Sequence, residues 1–281
     1  MSAKSIAHET TGESFDRDVF EASLEKIVIL DFYADWCQPC RMLAPVLQDV
    51  IAARSEQFAL VKANTEKLPE QASAFEVQSI PVLFAITNRS VIDRVEGLLT
   101  QAQLNQWFDS LLVQQKYLSA YSLEETDPAA ALVLYEQIAA IGNVADELKI
   151  ALMRTHFKLG DHDAATKLLT ELERRGFLEP EAERIKSQLK LSHVSKVDID
   201  FLKQTVAADS EAHATRLTLA QALVASGQYE AALQHALEIV QRDRTTHRKG
   251  AQELMIDIFR VLPDGDELIG VYRRKLAMAM Y

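Results

Sequence analysis

Covalent cross-links can do little for this chain: its 281 residues contain only two cysteines, three positions apart. That excludes the disulfide framework that staples small secreted domains. Long apolar runs are missing too. None approaches the ~20 residues that span a bilayer, and the opening MSAKSIAHETTGESF lacks the charged, apolar and small-residue order of a secretory signal. The expectation is a cytoplasmic protein whose thiols are kept reduced. Basic residues are fewer than acidic ones, 30 against 41, for a formal net charge of −11. Both halves are net acidic, which argues against nucleic acid as a partner and against anionic membrane surfaces. No glycine-rich phosphate loop occurs, and no two of the seven histidines have ligand spacing on one helix face. Neither a nucleotide nor a metal is expected.

What is present suffices for ordinary cores. Hydrophobic residues make up 48% of the chain, and at about 150 residues per domain the length corresponds to roughly two domains. Composition shifts near residue 113, giving expected domains of 1–113 and 114–281. In the first, apolar runs at Ile27–Tyr33, Phe58–Val61 and Val82–Ile86 read as strands. Helices are expected over 16–21, 41–56, 69–75 and 100–112, the last capped by Thr100, and this alternation signals an α/β domain with a mixed sheet. Beyond 113 the strand signal vanishes, and the chain reads as successive helices punctuated by glycine and proline, an all-α domain. Leu219, Ala220, Gly227, Tyr229 and Ala231-Ala232 align with Leu152, Met153, Gly160, His162 and Ala164-Ala165 at an offset of 67 residues. That is close to twice the ~34-residue tetratricopeptide period. A degenerate copy falls at 178–210, a partial pair at 116–141 and a cap at 245–281; an irregular bundle is the alternative.

Most of the chemistry lies in Val28-Ile29-Leu30-Asp31-Phe32-Tyr33-Ala34-Asp35-Trp36-Cys37-Gln38-Pro39-Cys40. A strand ends here and a helix opens, placing Cys37 where free amide N–H groups favour a thiolate, the nucleophilic form of cysteine. Cys40, one turn on, can resolve a mixed disulfide, and Pro39 fits the first helical turn, where no N–H is needed. Two other readings stay open: half of a zinc site, for which no third cysteine exists, and an unreactive remnant. Asp31 lies in an apolar strand behind the helix. Buried there, it has a raised pKa and can accept the Cys40 proton; alternatively it caps the next helix. Lys62 sits at the end of the following strand, beside Asp31 or simply solvated. Ile80-Pro81 precedes a strand, and a cis bond there leaves the Ile80 backbone open to an extended substrate. Trp107 and Phe108 are expected to pack on the sheet or the first repeat.

These residues carry a resemblance. Asp31-Phe32-Tyr33-Ala34, Trp36-Cys37-Gln38-Pro39-Cys40, Lys62, Ile80-Pro81-Val82 and Gly97 resemble a thioredoxin domain in order and spacing. The resemblance makes Cys37 the attacking thiol, Cys40 the resolving thiol, Asp31 the buried proton acceptor and Pro81 a cis-proline. No cofactor is implied beyond the reversible Cys37–Cys40 disulfide. Gln38 stands in place of the usual glycine, and Thr87-Asn88-Arg89-Ser90 replaces a glycine-bearing turn, suggesting a reshaped hairpin. Followed by degenerate tetratricopeptide repeats and ending in Gly265-Asp266-Glu267-Leu268 … Tyr272-Arg273-Arg274-Lys275-Leu276 … Tyr281, the whole chain is similar to the bacterial YbbN/CnoX co-chaperedoxins.

That resemblance implies a cytosolic holdase that protects unfolded or oxidised client proteins and passes them to a GroEL-type chaperonin, with the thioredoxin system or glutathione as reductant. A disulfide reductase whose repeats only dock substrates is the alternative, and a pure adaptor with idle cysteines a third. Tyr272, Arg273, Arg274, Lys275 and Tyr281 are the docking candidates, unless that segment is only a capping helix. Met278 and Met280 are read as packing material.

Overall fold

The computed structural model describes residues 7–142, 144–192, 198–243 and 246–280. They form two compact units that divide after Ser119.

The N-terminal unit is built on a five-stranded mixed sheet, β1 (Ala7–Glu9), β2 (Ile27–Tyr33), β3 (Phe58–Asn64), β4 (Val82–Thr87) and β5 (Ser90–Glu96), in the order β1-β3-β2-β4-β5. The first three are mutually parallel; β4 runs antiparallel to β2, and β5 to β4. Strand β2 is apolar without alternation because both its faces are covered. Ile27 and Ile29 face one cluster with Leu43 and Leu47 of α1 (Gln38–Ala52) and Trp107, Phe108 and Leu111 of α3 (Gln101–Leu123). Val28, Leu30 and Phe32 face the other, with Phe15, Val19 and the partly buried Phe75 from the π-helical turn Asp16–Glu21 and the end of α2 (Pro69–Ala74). Asp31 shares its parity with Ile29, so the pleat turns it toward the α1 side.

Several boundaries differ from expectation. Helix α1 starts at Gln38 rather than 41, since Cys37 already acts as its N-cap, and ends at Ala52. Helix α3 runs on to Leu123, so residue 113 lies inside a helix. Its start is a capping box: Thr100 Oγ1 accepts from the Gln103 N–H at 3.3 Å, while Gln103 Oε1 accepts from the Thr100 N–H at 2.9 Å. Strands β1 and β5 carry no apolar run: the first is three residues long, and the second leaves much of its length exposed. The β4–β5 turn is a two-residue hairpin with Asn88 and Arg89 at φ 49° and 63°, the type I′ geometry that usually selects glycine. Here the turn is held from outside, by Ser23 Oγ accepting from the Arg89 N–H and by the Arg89–Asp16 ion pair.

The C-terminal unit contains α4 (Pro128–Ala139), α5 (Asp146–Lys158), α6 (His162–Glu173), α7 (Pro180–Ser192), α8 (Ile199–Ala208), α9 (His213–Ala225), α10 (Tyr229–Arg242), α11 (Arg248–Val261) and α12 (Glu267–Met280). Helix α5 packs on α6 and α9 on α10, with α7 against α11 and α12 against α10. The repeat is visible in its turns. Gly160 and Gly227 have φ of 78° and 76°. Each sits in a Schellman motif, with Gly160 N–H to Phe157 O and Asp161 N–H to His156 O matched by Gly227 N–H to Val224 O and Gln228 N–H to Leu223 O. Ala165 and Ala232 are fully buried where the second helix of each pair crosses the first.

Candidate functional site

Cys37 caps α1 with φ −74° and ψ 103°, Pro39 occupies the first turn, and the Cys40 N–H donates to Cys37 Sγ at 3.2 Å. The two sulfurs are joined in a disulfide, with the Cα atoms 5.3 Å apart. The helix N-terminus thus surrounds one sulfur with amide dipoles that stabilise its anionic form once the bond is reduced. Both residues are buried, among Ala34, Tyr33 and Ile80. The Ile80–Pro81 bond is cis, and β4 pairing begins only at Val82, so among the described residues no sheet neighbour pairs with Ile80. Trp36 is exposed beside the pair, its Nε1–H donating to Glu66 Oε1 at 3.2 Å.

Beneath α1 lies a cavity of about 230 Å³ that brings together Asp31, Cys40 and Lys62, with Tyr33, Asp35 and Arg41 at its wall. Asp31 is only 4% exposed and its Oδ1 accepts no hydrogen bond from the protein. Burial pushes its pKa up to about 6, against the opposing pull of Lys62, its register partner on β3. A carboxylate so placed is half-protonated near pH 6 and faces the second cysteine, the arrangement a proton acceptor for a thiol needs. It sits inside β2 and caps no helix. The Lys62 ammonium stands 4.0 Å from the centre of the Tyr33 ring rather than free in solvent. Among the described residues no group of three His, Cys, Asp or Glu could hold a metal ion.

The expected docking residues scatter. Tyr272 is 2% exposed and belongs to the core of the C-terminal unit, so it presents no surface. It shares a helix face with Leu276, four residues on, and with the partly buried Ala279. That spacing is the signal that would have placed it inward. Arg273, Arg274 and Lys275 are exposed, with Arg273 5.6 Å from the Phe259 ring centre and Lys275 4.6 Å from that of Tyr272. Tyr281 lies outside the described residues. Met278 and Met280 prove to be exposed, at 79% and 55%, because they fall off the buried stripe of α12; they are surface rather than packing. Trp107 packs under the sheet and donates its Nε1–H to Asp93 at 2.8 Å. Sequence reading missed Tyr33 and Glu9. Tyr33 is legible from its parity with Asp31; Glu9 is not, because its place depends on β1 pairing with β3.

The surroundings of the pair match known proteins. Residues 6–110 fit the thioredoxin family model, and residues 122–189 and 192–281 fit tetratricopeptide repeat models. Thioredoxin 1 of Synechococcus elongatus is 36% identical over 108 residues, covering 38% of this chain and 99% of that protein. A thioredoxin-like protein of Synechocystis is 40% identical over 85 residues, 30% of this chain and 81% of its own length. The thioredoxin of Buchnera aphidicola is 32% identical over 101 residues, 36% and 92% of the two chains. The disulfide at the helix terminus, the buried carboxylate and the cis-proline therefore sit in a chain that belongs to the thioredoxin family through its N-terminal unit and continues as helical tetratricopeptide repeats.

Proposed function

We propose that the chain is a redox-linked holdase, binding unfolding client proteins, exchanging disulfides with their cysteines and passing them to a GroEL-type chaperonin. The observation that carries the redox part is the Cys37–Cys40 disulfide at the start of α1, over a cavity holding the unpaired Asp31 carboxylate. In the reducing direction, the Cys37 thiolate attacks one sulfur of a client disulfide and releases the other as a thiolate. Asp31 then takes the Cys40 proton, and the Cys40 thiolate attacks Cys37 Sγ. The Cys37–client bond breaks, the second client sulfur leaves as thiolate, and the client has gained two electrons while Cys37–Cys40 is oxidised. The bonded state in the structure is the product of that cycle, and an external reductant, either a dithiol of the thioredoxin system or two molecules of glutathione, returns it.

Client holding is supported by apolar and mixed surface. Trp36 and Met42 are exposed beside the disulfide, and the unpaired Ile80 backbone offers an edge to an extended segment. In the C-terminal unit a groove of about 860 Å³ is lined by both signs of charge, including Glu181, Arg184 and Arg260. Transfer to a chaperonin rests on the resemblance of the sequence to co-chaperedoxins, with the exposed Arg273, Arg274, Lys275 and Met278 of α12 as the surface that would make the contact. No helix among the described residues is long and apolar enough to cross a membrane.

The test pairs the wild type with Cys37→Ser. Disulfide reduction is followed with dithiothreitol as donor, and light scattering follows a heat-unfolded client that lacks cysteine. Reduction is expected to vanish in the variant while aggregation stays suppressed. If neither protein suppresses aggregation, with or without hypochlorous acid treatment, the holdase part is wrong and a reductase with a docking module remains.

A further inference from the structure

The surroundings of Asp31 contain a second carboxylate that the exchange chemistry does not use. In the parallel strands β1, β3 and β2, Glu9, Lys62 and Asp31 are register partners in one row across the sheet. Side chains in one such row emerge on the same face, and so does Tyr33, two residues beyond Asp31 on β2. Lys62 therefore stands between two carboxylates. One is buried with an oxygen lacking any protein partner; the other is 43% exposed and paired with Lys67 at 2.8 Å. The Tyr33 ring lies under the ammonium at 4.0 Å, and its hydroxyl is directed to Glu9. A cation over an aromatic face is drawn to the ring quadrupole, most strongly where water is partly excluded.

We infer that Tyr33 is a positioning residue for proton transfer at Asp31: its ring holds the Lys62 ammonium at the cavity, and Glu9 sets how far that ammonium leans away from Asp31. The groups that face Asp31 are few. From β3 comes Lys62, from α1 Cys40 and Arg41, and from the loop before α1 Asp35, while its β4 partner Leu83 carries no charge. Arg41 is engaged with the Asp35 carbonyl at 2.6 Å, which leaves Lys62 as the cation whose placement can change the carboxylate most. A nearby opposite charge favours ionisation, and a long, flexible lysine left without an anchor spends its time in solvent.

This assignment rests on the thiol–disulfide reading for its catalytic meaning, but its test does not. The full chain is kept in the disulfide form, where the cysteines do not titrate and Asp31 is not coupled to a thiol. The carboxyl carbon signal of Asp31, identified by its loss in Asp31→Asn, is followed by NMR against pH. Tyr33→Leu is expected to raise the Asp31 midpoint by about half a unit, Tyr33→Phe to leave it at the wild-type value, and Glu9→Gln to lower it by a similar amount. A Tyr33→Leu curve that overlays the wild type overturns the inference, as does a Tyr33→Phe curve displaced as far as that of Tyr33→Leu. Should Tyr33→Leu not fold, the exposed Glu9→Gln decides, and an unchanged midpoint there also overturns it. The pH profile of disulfide reduction by the same variants is the second readout. If the wild type reduces no disulfide at any pH, the functional reading fails while the titration still answers the positioning question.

Discussion

Two buried carboxylates, one in each unit, have opposite fates. Asp31 in the N-terminal unit is 4% exposed with an oxygen that accepts nothing, and burial raises its pKa to about 6. Glu124 in the C-terminal unit is 3% exposed, yet it accepts from the Tyr135 hydroxyl and from two nitrogens of Arg154, with Lys158 3.7 Å away. Burial acts on it in the same upward direction, but those donors outweigh it and hold the carboxyl below its ordinary value. A buried acid that is fully partnered ties helices together. One that is left unpartnered at a cavity destabilises the folded state and gains proton chemistry in return. The other buried carboxylates of the repeats follow Glu124. Asp257 accepts from the Ser187 hydroxyl at 2.8 Å, and Asp243 accepts from the His247 N–H at 2.8 Å just before α11; Arg216 is paired with Glu238, though its buried Nε–H finds no acceptor.

Orphaning the Glu124 cluster should have the largest effect. Glu124→Ala leaves Arg154 without its main partner and is expected to cost about 4 kcal/mol. The loss should appear in urea titrations of helical ellipticity. Both tryptophans, Trp36 and Trp107, lie in the N-terminal unit, so a fluorescence transition displaced by the same amount would show that Glu124 is not confined to its own unit.

Asp31→Asn should act in the other direction. Asp31 ionises near 3.8 in the unfolded chain and near 6 in the fold, so between those values the folded state holds the extra proton. Stability is therefore lost as pH rises through that window, and the loss is complete above it. The Asn variant is expected to be more stable than wild type by up to about 3 kcal/mol at pH 8, with the gain fading to zero below 3.8. Tryptophan fluorescence in urea at several pH values measures it. A gain independent of pH would mean that packing, not ionisation, is responsible.

The smallest effect tests the repeats. Gly227→Ala forces a side chain into a φ of 76° with no neighbouring atom within 4 Å of the new Cβ, so only backbone strain opposes it. A cost of about 1 kcal/mol is expected. Gly160→Ala, with the same geometry in the earlier pair, should cost about as much. Unequal losses in thermal melts would show that the two pairs are not equivalent copies.

Much of the site was legible because its signals are local. The strand-to-helix junction at Cys37, the proline in the first turn and the acid interrupting an apolar strand each follow from a few consecutive residues. The repeat was legible for the same reason, since a helix that ends on a left-handed glycine announces itself within one turn. Helix lengths were harder. The α3 capping box shows where the helix begins, but nothing in residues 113–123 marks a stop, so the compositional shift misplaced its end.

Chain order alone thus determined which residues carry the thiol chemistry and that helices in pairs follow it, because short-range periodicity and spacing encode both. Tertiary structure decided what is covered. Tyr272 is inside and Met278 outside because α10 packs on one face of α12. Glu9 reaches the Lys62 row only because a three-residue strand pairs across more than fifty residues of chain. Asp31 is raised and Glu124 lowered by the same burial acting on different partners. Partners drawn from distant segments are a property of the packed fold, and no local pattern carries them.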